Sequence, residues 1–166
     1  MAELTSYLTL VNTGNKDKYG CYILNLSYYK HRIFTDKIQC CSGAPGRQFF
    51  RTGNESWAGS LEPLPEGKWY VNDIEWADSK DNYSGNVWQS SIGPVTVPLD
   101  YLGPNSTRRS AIEIHIDWNW QWSPGTAGCI GVYSIPDFEL FVSWLRETNP
   151  RDLYVDWNLG ISPAPA

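Results

Sequence analysis

Ala111-Ile112-Glu113-Ile114-His115-Ile116-Asp117-Trp118-Asn119-Trp120-Gln121-Trp122 alternates between apolar and polar almost without a break. Ile112, Ile114, Ile116, Trp118, Trp120 and Trp122 share one parity, and Glu113, His115, Asp117, Asn119 and Gln121 share the other. Strand side chains point to opposite faces in turn, so this period of two predicts a β-strand with His115 on its polar face. Working outward, short β-like runs recur at residues 6–11, 21–28, 33–41, 68–74, 87–92 and 95–97. Turn-rich pieces separate them: Asn12-Thr13-Gly14-Asn15, Ser42-Gly43-Ala44-Pro45-Gly46 and residues 63–67. Residues 76–86 read as a polar loop. One segment has helical spacing, with Phe138, Phe141, Val142 and Leu145 in phase. Ser134 suits its N-cap, Pro136, Asp137 and Glu139 suit its first turn, and Asn149-Pro150 stops it. Residues 153–157 follow as a last strand. The expectation is one mainly-β domain over residues 1–160, a sandwich or barrel with one main α-helix. Residues 161–166 are expected to be a flexible tail.

The composition narrows the function. The chain has 166 residues, 42% of them hydrophobic and 19% charged, which suits a globular domain. Nine Trp, ten Tyr and five Phe stand against one Met and two His. With His31 and His115 alone, no multi-histidine metal site is expected, and no cofactor is implied. Thirteen basic against eighteen acidic residues give a net charge of −5, which argues against nucleic acid as a partner. No stretch approaches the length of a membrane-spanning helix. The N-terminal residues show no secretory signal, so the four cysteines are expected to be reduced thiols.

The chemistry converges on Ser123-Pro124-Gly125-Thr126-Ala127-Gly128-Cys129-Ile130-Gly131-Val132. A cysteine in a glycine-flanked turn ahead of a helix is where a reactive thiol belongs. Backbone N–H groups there can face an oxyanion, and glycine allows close approach of a substrate. The thiolate is the nucleophile, and a neighbouring imidazole takes its proton. His115 lies fourteen residues upstream, within reach through a hairpin-like return. A paired thiol of this kind is expected to react with iodoacetamide well below pH 8.5. The competing reading is an inert thiol, since free cysteine is among the most buried residue types.

Several segments, in order, resemble the catalytic domain of L,D-transpeptidases, the YkuD-like family. Ile112-Glu113-Ile114-His115 is similar to the family's strand ending in its histidine. Thr126-Ala127-Gly128-Cys129-Ile130 resembles its hydroxyl-x-Gly-Cys-aliphatic turn, and an amphipathic helix follows. Cys41-Ser42-Gly43 and then Pro63-Leu64-Pro65-Glu66-Gly67-Lys68-Trp69 are similar to its upstream segments. The resemblance spans roughly residues 20–157. It implies Cys129 as nucleophile, His115 as base, the N–H groups of Gly128 and Cys129 as oxyanion hole, and Thr126 as support for turn or imidazole. It also implies peptidoglycan stem peptides as substrate, processed through a thioester. Water as acceptor gives a carboxypeptidase or endopeptidase, and a second stem amine gives a cross-link.

Three departures stand out. The family's arginine two residues after the cysteine is Gly131 here, and Arg109, Arg108, Arg47 or Arg51 are the candidate substitutes. The family's His-Gly-Thr is His115-Ile116-Asp117, so Asp117 either orients His115 or is a solvated carboxylate. Ala127 replaces a second histidine. Trp118 and Trp120 are either core or, if the strand ends near Asp117, a lid that binds substrate. Tyr83, with Trp88 and Tyr101, is placed on the opposite side of the cleft. Without a visible signal, the chain is expected to reach the wall by release or delivery, as a phage lysin or effector would, which favours hydrolysis. A non-catalytic wall- or glycan-binding module on the same fold is the alternative of a different class.

Overall fold

The computed structural model describes residues 5–84, 93–118 and 125–165. Strands β1 (Tyr7–Lys16), β2 (Tyr22–Lys30) and β3 (Ile33–Ser42) form an antiparallel meander. A 3-10 turn at Gly53–Glu55 precedes β4 (Gly67–Val71), β5 (Glu75–Trp76) and β6 (Val95–Gly103). Then come β7 (Glu113–Ile116), β8 (Ile130–Val132), helix α1 (Ile135–Thr148) and β9 (Asp152–Asp156). The sheet runs β4-β9-β1-β2-β3-β8-β7-β6-β5, and a further β4–β6 pairing closes it into a barrel. Closure leaves few unpaired backbone groups at edges. The expected mainly-β barrel with one helix is what the chain forms.

Alternation explains which side chains meet inside. Leu8 and Leu10 of β1, Leu24 and Leu26 of β2, Val97 and Leu99 of β6, and Ile114 and Ile116 of β7 belong to one buried cluster. Helix α1 lays Phe138, Phe141, Val142, Trp144 and Leu145 into the same cluster. Burying a side chain of that size stabilises by about 1.5–3 kcal/mol. The helix begins where expected: Ser134 accepts the Asp137 N–H at 3.2 Å. It ends at Asn149, which adopts the left-handed conformation before Pro150.

Three boundaries differ from expectation. Asn12-Thr13-Gly14-Asn15 is not a turn but the end of β1, where the pairing with β2 shifts register. The β6 strand runs on to Gly103 instead of stopping at 97. The alternating run leaves the sheet after Ile116: Asp117 still donates its N–H to the Val132 carbonyl at 2.8 Å, while its carboxylate accepts the Gly125 N–H at 3.0 Å. The strand expected at 87–92 lies outside the described residues. At the C-terminus, Ile161 and Ser162 donate their N–H groups to Glu66, so the chain is held at least that far.

Candidate active site

The β7–β8 pairing decides the geometry. These strands are parallel, with Ile114 opposite Ile130, His115 opposite Gly131 and Ile116 opposite Val132. A hairpin-like return would have made them antiparallel; instead β8 starts beside Ile114, near the start of β7. Parallel neighbours require a crossover connection. Cys129 therefore lies one step before Ile130, beside Glu113, whose N–H donates to its Sγ at 3.3 Å. Sγ lies 3.5 Å from the Ala111 carbonyl oxygen. His115 sits on the same face as Cys129, diagonally further along β7, and no hydrogen bond joins the two side chains among the described residues.

The imidazole is fixed by its own strand. Nδ1 lies 2.9 Å from the Ile116 carbonyl oxygen. A carbonyl only accepts, so Nδ1 carries the proton and Nε2 keeps its lone pair. Burial pushes the His115 pKa below its ordinary value, and the Ile116 carbonyl and Asp117 charge oppose that shift. Burial raises the Cys129 thiol; the Glu113 N–H and Arg109 pull it down, while the Glu113 carboxylate adds to the rise. The resting pair is thus a neutral thiol near a neutral imidazole, not an ion pair. The expected alkylation well below pH 8.5 does not follow from this arrangement.

The turn itself is tied by one hydroxyl. Thr126 Oγ1 donates to the Cys129 carbonyl at 2.6 Å and accepts the N–H groups of Gly128 and Gly43, both at 3.1 Å. That uses its donor and both lone pairs, so Thr126 serves the turn. It also corrects the oxyanion-hole expectation: the Gly128 N–H is already engaged. Ser42 Oγ holds the turn from behind, donating to the Gly128 carbonyl at 2.9 Å and accepting the Leu64 N–H at 3.1 Å.

Arg109, expected at the substrate, is buried beneath this turn. Its Nη2 donates to the Ala127 carbonyl at 3.0 Å. Nη1 faces Ser56, Ser60 and the carbonyls of Glu62 and Pro63. A Cβ on Gly128, whose φ is +130°, would collide with the guanidinium, so glycine is demanded there twice over. The other arginines go elsewhere: Arg51 pairs with Glu62, Arg47 donates to the Ser60 carbonyl, and Arg108 lies over Trp57. Gly131 has no room for the family's arginine. A Cβ there would lie 2.8 Å from Thr126 Cγ2 and 3.1 Å from both Asp117 Cβ and Cys41 Sγ.

Asp117 is buried, not solvated. Its Oδ2 accepts from Gly125 and lies 3.4 Å from Cys41 Sγ, so it shapes the crossover, while Nδ1 of His115 is held by the Ile116 carbonyl. Trp118 is half-buried against the core and packs close to Gly93; Trp120 and Trp88 fall outside the described residues. Tyr83 packs edge-on against Trp76 and Phe138 on the core and α1, and burial pushes its hydroxyl up to about 12. Tyr101 donates to the Glu66 carbonyl or Asn105 and packs on Trp69, a structural setting. Cys40 and Cys41 are free thiols within β3, as expected of a strand.

A crystal structure of an Enterococcus faecium L,D-transpeptidase, with a cysteine replaced by serine, superposes with a TM-score of 0.50. The likeness is one of fold. Sequence identity is 18%, over 92% of this chain and 50% of that one, so this chain spans about half the length of its neighbour. No protein-family model matches the chain, and no curated protein does. The residue missed by sequence reasoning is Glu113. The alternation had put it on the polar face, but its place beside Cys129 depends on the parallel register.

Proposed function

We propose that this protein is a cysteine-dependent enzyme of peptidoglycan stem peptides, working through a thioester on Cys129 and completing a hydrolysis. The observation that carries the reading is the half-buried thiol on a glycine turn, sharing a sheet face with an imidazole whose Nδ1 is held by a carbonyl, leaving Nε2 unprotonated. The L,D-transpeptidase fold of the neighbour supports the substrate class.

In this reading Nε2 of His115 takes the Sγ proton as the sulfur attacks the carbonyl of the scissile amide. The Cys129 N–H is the donor we assign to the oxyanion, since Gly128 is engaged by Thr126. Collapse expels the amine, which takes the proton back from His115 and leaves the acyl group as a thioester. Water, deprotonated by His115, then releases the acid and regenerates the thiol. A second stem amine in place of water would give a cross-link.

The test is mass analysis of muropeptides from purified sacculi. The parent protein should generate shortened stems carrying one added water per cut. Cys129→Ala should stop this while leaving the circular dichroism spectrum unchanged. Stems joined to each other would transfer the reading to transpeptidation, and release that survives Cys129→Ala would remove the mechanism.

A further inference from the structure

Glu113 carries an unsatisfied oxygen near the thiol. Its backbone N–H contacts Cys129 Sγ at 3.3 Å, so its side chain stands beside the nucleophile on the face that carries His115. Its Oε2 is sealed from solvent with no hydrogen-bond partner among the described residues. A second polar atom on that face is in the same condition. Thr96, opposite His115 on β6, is only 1% exposed, and its Oγ1 has no hydrogen-bond partner among the described residues. Glu75 stands opposite Thr96 on β5 and adds negative charge that Glu113 feels. The Arg109 guanidinium does not answer it, being turned to Ala127, Ser56, Ser60 and backbone carbonyls.

Leaving a buried acceptor unpaired costs about 1–3 kcal/mol. A buried unsatisfied group calls for a physical explanation, and an ion or charged ligand group that pairs with it is one. We propose that Glu113 determines specificity at a cation-accepting subsite beside Cys129, binding an ammonium group of the substrate while Thr96 Oγ1 takes a further N–H. An ammonium offers three donors and a compensating charge, which matches a carboxylate and a hydroxyl better than any neutral group does. Under the proposed function, which this inference extends, the ammonium belongs to the side chain of the residue whose carbonyl Cys129 attacks.

The first arm of the test needs no peptidoglycan. Cationic 2-aminoethyl and anionic 2-sulfonatoethyl methanethiosulfonate both convert the Cys129 thiolate to a mixed disulfide, releasing methanesulfinate. Peptide mass mapping confirms the site, since Cys21, Cys40 and Cys41 are buried. The cationic reagent should react faster, and Glu113→Gln should lower the cation-to-anion rate ratio about tenfold. The ratio is the readout because any change in thiolate fraction affects both reagents alike. Glu113→Asp, which keeps the charge, should retain most of it. The second arm compares stem peptides with a free or an acetylated side-chain amine. Glu113→Gln should raise KM for the free amine about tenfold relative to KM for the acetylated peptide, a comparison from which any change at the thiol cancels. A rate ratio unmoved by Glu113→Gln overturns the subsite whatever the peptides do. A ratio that falls as expected while neither peptide is consumed supports the subsite and removes the stem-peptide reading instead.

Discussion

At Cys129 and His115 the protein holds a thiol whose pKa is raised and an imidazole whose pKa is lowered, which favours the uncharged form of each. The Nδ1–H of His115 donates to the Ile116 carbonyl, which leaves Nε2 as the basic nitrogen. Its pKa is lowered, chiefly by burial, so the neutral imidazole persists below the ordinary value of about 6.5. The acid limb of kcat/KM for the thioester reaction should therefore have its midpoint below pH 6.5, read from initial rates between pH 4 and 8. The Cys129 shift has the opposite sign for the reactive form: burial raises its pKa, so less thiolate is present at neutral pH. Iodoacetamide labelling of the free protein should accelerate only above the ordinary thiol value of about 8.5. Labelling that reached its plateau by pH 7 would contradict the neutral pair.

Among the elements, the parallel β7–β8 pair does most to compose the site. Its register puts Glu113 beside Cys129 and Gly131 beside His115, with the crossover tied down by Asp117 and Thr126. Behind that pair, Phe141 of α1 is fully buried and meets Phe138 and Trp144 edge-on. Truncating a buried phenylalanine costs the transfer term plus a cavity, so Phe141→Ala should lose about 3–5 kcal/mol in urea denaturation. The helix follows directly from β8, so the same variant should also lower activity per folded molecule. A loss under 1 kcal/mol would mean that α1 contributes little to the core. The helix was legible from its sequence because its cap, its apolar spacing and its terminator are all local. The direction of β8 was not, because Ile130-Gly131-Val132 pairs equally well either way.

For the whole molecule, a buried carboxylate far from Cys129 in sequence ties the C-terminal segment to the rest of the fold. Glu66 accepts the N–H groups of Trp157, Leu159, Ile161 and Ser162, binding the C-terminal segment to the entry of β4. Burial alone would raise its pKa, but these four donors outweigh it and hold the carboxyl below its usual range. A depressed pKa means that the ionised form stabilises the fold above the unfolded value, about 4.3, and that this is lost as pH falls through the folded value. Glu66→Ala should cost more than about 3 kcal/mol at pH 7, with four orphaned donors left behind. Its acid unfolding should also be less steep below pH 4.3, as followed by tryptophan fluorescence. Of this protein, the sequence alone determined the local features: the period-two strand through His115, the capped helix, the glycine turn around Cys129 and the scarcity of histidine. Their physical causes act over a few residues, so they can be read in order along the chain. Only the tertiary structure decided that β7 and β8 run parallel, that Arg109 lies under the turn, that Asp117 is buried and that Glu113 flanks the thiol. Those depend on strand register and on contacts between distant segments, where the free energy comes from packing and not from the order of neighbouring residues.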